Sequence, residues 1–99
     1  MKKKPAVGVA AIVIKNGKVL LGKRKGAHGA GSWAFPGGHL EFNESVEMCA
    51  TREIFEETGL SVKNPRFVTM TNDLFHESDK HYVTLFVVCE YKNGDVEIK

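Results

Sequence analysis

The sequence predicts an α+β fold, and three observations carry that expectation. Asn16-Gly17 separates two apolar runs, the strongest short-range signal for a two-residue β-hairpin. Between residues 45 and 58 the apolar residues Val46, Cys49, Ala50 and Ile54 recur at helical spacing, which predicts one amphipathic helix. Residues 82–91 carry a near-continuous apolar run, with Val83, Leu85, Phe86, Val87 and Val88, as expected of a strand covered on both faces. Ninety-nine residues with 42% hydrophobic content suit one domain around one core.

The elements follow in order. Met1-Lys2-Lys3-Lys4 and the apolar run after it imitate a secretory signal, but such a signal needs a small-residue cleavage site after the apolar stretch. Lys15-Asn16-Gly17-Lys18 stands there instead, so residues 8–14 and 18–23 read as hairpin strands and a cytoplasmic setting is expected. Cys49 and Cys89 fall on inward positions of a helix and a strand and are expected to be free, buried thiols of a reducing compartment. Residues 25–31 are glycine-rich and without periodicity, a loop that either cradles phosphates or simply connects. Residues 33–35 form a short strand that leads into Pro36-Gly37-Gly38, where paired glycines admit close backbone approach to a ligand or metal. Asn43 or Ser45 caps the helix, and Gly59 ends it in the left-handed conformation. Residues 66–71 form the next strand, and Asn93-Gly94 turns the chain into a short strand at 96–98.

The helix carries an unusual charge pattern. With each residue advancing roughly 100° around the axis, Glu53, Glu56 and Glu57 share one face. Like charges at that spacing repel by a few tenths of a kcal/mol per pair, so helix propensity does not select them. Glu53 and Glu57 moreover fall inside the stripe that faces the core. An inward carboxylate is costly unless paired or bound to a metal, and an all-oxygen cluster without His or Cys suits a hard cation such as Mg²⁺ or Mn²⁺. A solvated acidic face partnered by Arg52 and nearby lysines remains the alternative at this point.

The segment from Gly38 to Leu60 reads GHLEFNESVEMCATREIFEETGL. Gly38, Glu44, Arg52, Glu53, Ile54, Glu56, Glu57, Gly59 and Leu60 match every fixed position of the pattern G-x5-E-x7-R-E-U-x-E-E-x-G-U, with U aliphatic, and the chain resembles a Nudix hydrolase. The resemblance implies an α/β/α sandwich around a mixed sheet. It also implies a further strand and packing helix after residue 99, so that a C-terminally truncated domain, a covering oligomer such as a homodimer, or a domain swap is expected.

The resemblance also implies roles. Glu53, Glu56 and Glu57 would be metal ligands, with one of them, or a later carboxylate, as general base. Arg52 would orient a glutamate and damp the repulsion, Glu44 would support the cluster, and the Gly38 carbonyl would complete a coordination sphere. Glu97 is a weak match to the late glutamate that joins the metal in some relatives. Mg²⁺, or Mn²⁺, would neutralise a diphosphate and activate the water that attacks one phosphorus. Arg24, between Lys23 and Lys25, would contact terminal phosphates, or belong to a solvated charge run at a strand end.

The stretches 21–26, 31–42 and 81–84 resemble MutT-like nucleoside triphosphate pyrophosphohydrolases, which implies a nucleotide substrate, modified deoxynucleotides included, split into nucleoside monophosphate and pyrophosphate. No Ser-Gln-Pro-Trp run follows the motif, and no proline stands at the spacing of many ADP-ribose hydrolases. Gly37, His39 and Thr84 are candidates for nucleotide contact, with His39 otherwise an ordinary loop residue. Phe35 either stacks on a base or fills the core, and Trp33 packs. His28, His76 and His81 lack metal-ligand spacing with either cysteine. An ADP-ribose or nucleotide-sugar diphosphatase and a non-catalytic nucleotide-binding module are the alternatives; the second would be expected to lose the glutamates. The formal charge of +2 is too small for a general binder of nucleic acid polymers, and no 20-residue apolar span implies a membrane partner.

Overall fold

The apolar run that opens the domain forms β1 (Ala6–Lys15), the strand on which the sheet is assembled. The computed structural model describes residues 3–23 and 33–94. Asn16 and Gly17 adopt φ of 52° and 73°, as a type I′ turn requires, and return the chain as β2 (Lys18–Val19).

The expected strand over 18–23 is divided. Beyond Leu20, whose N–H still donates to the Val13 carbonyl at 3.1 Å, the chain leaves β1, and β3 (Gly22–Lys23) pairs with β4 (Trp33–Ala34) in a separate two-stranded sheet. The reason lies farther down β1, whose edge is taken by β5 (Gly37–His39), with Gly37 opposite Ala10, Gly38 opposite Val9 and His39 opposite Gly8. Ala11 N–H also donates to the Pro36 carbonyl at 2.7 Å. The paired glycines, Gly37 and Gly38, therefore lie in a strand, and His39 is a strand residue rather than a loop residue.

The helix α1 (Val46–Thr58) begins where the sequence places it. Ser45 is the N-cap, its Oγ accepting from Met48 N–H at 3.0 Å, an arrangement worth about 1 kcal/mol. Gly59, at φ 78°, closes the helix through its N–H to the Phe55 carbonyl.

The two long strands β6 (Ser61–Phe75) and β7 (Lys80–Asn93) form an antiparallel hairpin, with β7 parallel to β1. The mixed sheet runs β2-β1-β7-β6, with β5 added to β1. β6 is longer than the expected 66–71 because it continues through Pro65, which sits at a register irregularity between Lys63 and Arg66, where a missing N–H is tolerated.

Alternation decides the layers. Val9, Ala11, Val13, Val87 and Cys89 point to one face and are buried with Cys49, Ala50 and Ile54 of α1. Their neighbours Ala10, Ile12, Phe86 and Val88 point to the other face and are only half-buried, so β7 is fully covered on one side among the described residues rather than on both. Cys49 and Cys89 are free and completely buried, and burial raises their pKa values to about 12 and about 11. Among the described residues no helix is long and apolar enough to cross a membrane.

Candidate active site

Strand β5 and helix α1 position the acidic residues, and Arg52 organises them. Its guanidinium makes a forked contact with Glu44, Nε to Oε2 at 2.7 Å and Nη2 to Oε1 at 3.1 Å. Nη1 donates to Glu53 Oε1 at 2.7 Å and to Glu56 Oε2 at 3.2 Å. Nη2 also reaches the His39 carbonyl at 3.3 Å and lies 3.4 Å from Glu41 Oε1. One cation thus serves four carboxylates, a use for which the planar five-donor guanidinium is suited and a lysine is not.

The electrostatic consequence is clearest at Glu44. Hydrogen bonding from Arg52, aided by the Glu41 N–H at 3.1 Å, lowers its pKa from 4.5 to about 2. A carboxylate depressed in the folded state stabilises the fold above its unfolded value, and that contribution is lost as the pH falls from about 4.5 toward 2. Acid unfolding followed by circular dichroism is therefore expected to show a loss of stability in that window which Glu44→Gln removes; an unchanged acid limb in the variant refutes the assignment.

Glu53 and Glu57 lie along the backbone of β5. A Cβ placed on Gly38 would stand 2.5 Å from the Glu53 carboxyl carbon, so glycine is what lets the strand run against that carboxylate. One turn on, Gly37 N–H donates to Glu57 Oε2 at 3.1 Å. Glu57 is exposed over the residue as a whole, yet its carboxyl end is drawn against the strand. Desolvation there, together with the charges of Glu53 and Glu56, raises its pKa, against the opposing hydrogen bond from Gly37. The Glu53 side chain is 13% exposed and that of Glu56 is 54% exposed, so Glu53 faces inward as the helical wheel requires and Glu56 lies at the open side.

Among the described residues no three acidic, His or Cys side chains converge as a ready set of metal ligands. Arg52 accounts for this, since it draws Glu53 and Glu56 toward Glu44 while Glu57 turns to Gly37. The donors are nevertheless all oxygen, and the mutual repulsion that helps raise the pKa of Glu57 is what a hard cation relieves.

Of the other sequence candidates, the His39 ring and Thr84 face away from this cluster, although the His39 carbonyl accepts from Arg52. Strand register puts His39 and Thr84 in line with Gly8, on the face of the sheet opposite the buried Val9, where the His39 ring stands 6.4 Å from that of Tyr82. Phe35 is 38% exposed and is not core. Arg24, His28 and Glu97 lie outside the described residues. Glu41 was not singled out from the sequence; its spacing of three from Glu44, ahead of the helix that carries Arg52, is the signal that points to it.

A model of the NUDIX domain matches residues 2–99. The chain is 36% identical over 101 residues to the 8-oxo-dGTP diphosphatase of Proteus vulgaris, covering 99% of this chain and 88% of that protein. It is 34% identical over 93 residues to the ADP-ribose pyrophosphatase of Methanocaldococcus jannaschii, covering 94% of this chain and 55% of that one, so it spans about half the length of that relative. Among solved structures, the MutT NUDIX hydrolase from Burkholderia pseudomallei superposes with a TM-score of 0.89 at 30% identity, over 97% of this chain and 74% of its own.

Proposed function

The chain belongs to the Nudix hydrolase family, and from that membership we infer that it cleaves nucleotide diphosphate linkages, with nucleoside triphosphates as preferred substrates split into nucleoside monophosphate and pyrophosphate. The observation that carries this reading is the placement of Glu53 and Glu57 against the Gly37-Gly38 backbone, with Glu56 at the open side. It brings acidic oxygens and close backbone approach together on one edge. The relative matched over the larger share of its own length is named for 8-oxo-dGTP, which favours deoxynucleoside triphosphates, modified ones included. The resemblance to a protein named for ADP-ribose supports the second reading, a diphosphatase of ADP-ribose.

Nudix hydrolases use divalent metal ions. Glu53, Glu56, Glu57 and the Gly38 carbonyl are the groups that would hold Mg²⁺ here, and the cation would supply charge neutralisation at the diphosphate and a more acidic water. The chain's own residues do the rest. Arg52 and Glu44 hold the base of the cluster in one geometry. Gly37 orients Glu57 through its N–H. Glu57, drawn against β5 by the Gly37 N–H and with its affinity for a proton raised by desolvation and by the charges of Glu53 and Glu56, is the carboxylate suited to accept a proton from water.

Hydrolysis of canonical and modified dNTPs, ADP-ribose and dinucleotide polyphosphates with Mg²⁺ tests the assignment directly. Release of pyrophosphate from dNTPs supports the first reading, AMP from ADP-ribose supports the second, and no turnover of any member refutes both. Mg²⁺ is also expected to raise the Tm, since a ligand that binds only the folded state stabilises it by RT ln(1 + [L]/Kd), about 2.7 kcal/mol at a hundredfold excess over Kd. A Tm indifferent to Mg²⁺ and nucleotide together contradicts a metal site at these residues.

A further inference from the structure

β6 is the edge strand of the sheet, and among the described residues no strand pairs with its outer side. Phe67, Val68, Met70, Leu74 and Phe75 along it are 43–54% exposed. A long edge with exposed apolar residues is a template for pairing with another chain unless something blunts it. Here the register between β6 and β7 shows what the edge fits. Arg66 stands opposite Val88, Thr69 opposite Phe86, Thr71 opposite Thr84 and Asp73 opposite Tyr82. These four β7 partners alternate along one face, so Arg66, Thr69, Thr71 and Asp73 share that face.

In a regular strand, Arg66 and Asp73, seven positions apart, would point to opposite faces. The irregularity between Phe67 and Thr69 absorbs one residue and brings them to the same side. The same-side placement of Thr71 and Asp73 is independently marked by the hydrogen bond from Thr71 Oγ1 to Asp73 Oδ2 at 2.9 Å. Measured along β7, Arg66 and Asp73 are then equally distant from Met70, which stands opposite Leu85. A two-fold axis perpendicular to the sheet at Met70 leaves each face in place and makes the edge self-complementary. Arg66 of one copy meets Asp73 of the other, Thr69 meets Thr71, and Met70 meets Met70. Each opposite-charge and Thr–Thr pair occurs twice, and both kinds are favourable across antiparallel strands.

We propose that two copies of this chain associate through antiparallel pairing of their β6 strands about Met70, continuing the sheet from one copy into the next. The contact is isologous and closes at two, since the two-fold pairing occupies the β6 edge of both copies. It uses neither the Arg52 cluster nor β5, so it stands or falls separately from the catalytic assignment.

Sedimentation or light scattering across a micromolar concentration series tests it, because the charge pattern makes a sharp prediction. The chain is expected to dimerise. Arg66→Asp alone sets two Asp–Asp pairs at the interface and Asp73→Arg alone sets two Arg–Arg pairs, so each variant is expected to weaken the dimer on the order of tenfold or more. Mixing the two variants restores both pairs with opposite charges, and a heterodimer is expected at concentrations where each variant alone is largely monomeric. The double variant Arg66→Asp/Asp73→Arg is likewise expected to dimerise. Recovery in the mixture shows that neither variant had merely failed to fold. A monomeric parent chain, or a dimer that both single variants leave intact, overturns the proposal.

Discussion

Glu57→Gln is expected to lower kcat by about 10²–10⁴-fold, the range for loss of a positioned proton acceptor or of a charge aimed at the reacting centre. The substitution keeps the shape of the side chain and an oxygen able to accept from Gly37 N–H, so the link between β5 and α1 survives. It removes one negative charge beside Glu53 and Glu56, which contribute to the raised pKa of Glu57. The fold is therefore expected to be as stable as the parent or slightly more so, while the rise of Tm with Mg²⁺ shrinks. That combination separates a functional role from a structural one, since a merely structural glutamate would lose stability and leave the response to Mg²⁺ unaltered. Full activity in Glu57→Gln, measured as pyrophosphate release under saturating Mg²⁺, removes this residue from the site.

The second large effect is expected at Gly37. A Cβ there would stand 2.0 Å from the Val9 carbonyl oxygen, 3.0 Å from the Val9 carbonyl carbon and 3.1 Å from the Ala10 Cα. All three are backbone atoms of the central strand, and no side-chain rotation relieves the clash. Gly37→Ala must pull β5 off β1, and the Gly37 N–H then moves away from Glu57. A loss of about 1–3 kcal/mol is expected from the overpacking, which in a domain of this size corresponds to about 4–8 °C in Tm per kcal/mol. Activity is expected to fall together with the stability. Gly17→Ala provides the contrast: nothing lies within 4 Å of a Cβ at Gly17, where the only obstacle is φ of 73°. It is expected to cost about 1 kcal/mol in turn strain and to leave kcat unchanged. Equal effects of the two substitutions on activity would refute the claim that Gly37 acts through its contact with β1 and Glu57.

Much of the fold was legible because its signals are local. The Asn16-Gly17 turn, the apolar stripe of α1 and its Gly59 terminus each rest on a few neighbouring residues and stand where the spacing puts them, and of the two caps the sequence offers, Asn43 and Ser45, the helix uses Ser45. The misreadings share one origin, which is competition for strand edges. Nothing in residues 18–23 announces that the strand must stop at Val19, because the reason is that β5 occupies the rest of the β1 edge. Nor does Pro36-Gly37-Gly38 announce a strand, since paired glycines are poor strand formers and are tolerated here only because β1 approaches so closely. Among the described residues β7 is fully covered on only one face. A continuous apolar run reports that both faces can be apolar, not that a neighbour lies over each.

The candidate site divides in the same way. The spacing of Glu53, Glu56 and Glu57 on one face of a helix, and the presence of Arg52 and Glu44 in register with them, follow from the chain alone, because an α-helix has a single pitch and the residues sit on one element. What that chain cannot state is how the charges distribute themselves once β5 is laid beside the helix. Only the folded arrangement shows Arg52 drawing Glu53 and Glu56 toward Glu44, Gly37 holding Glu57, Glu41 joining the network from the preceding loop, and His39 and Thr84 turned to the other face of the sheet. Local periodicity is written in covalent spacing, whereas the choice of partner for each carboxylate depends on which distant backbone arrives next to it, and that is decided by packing.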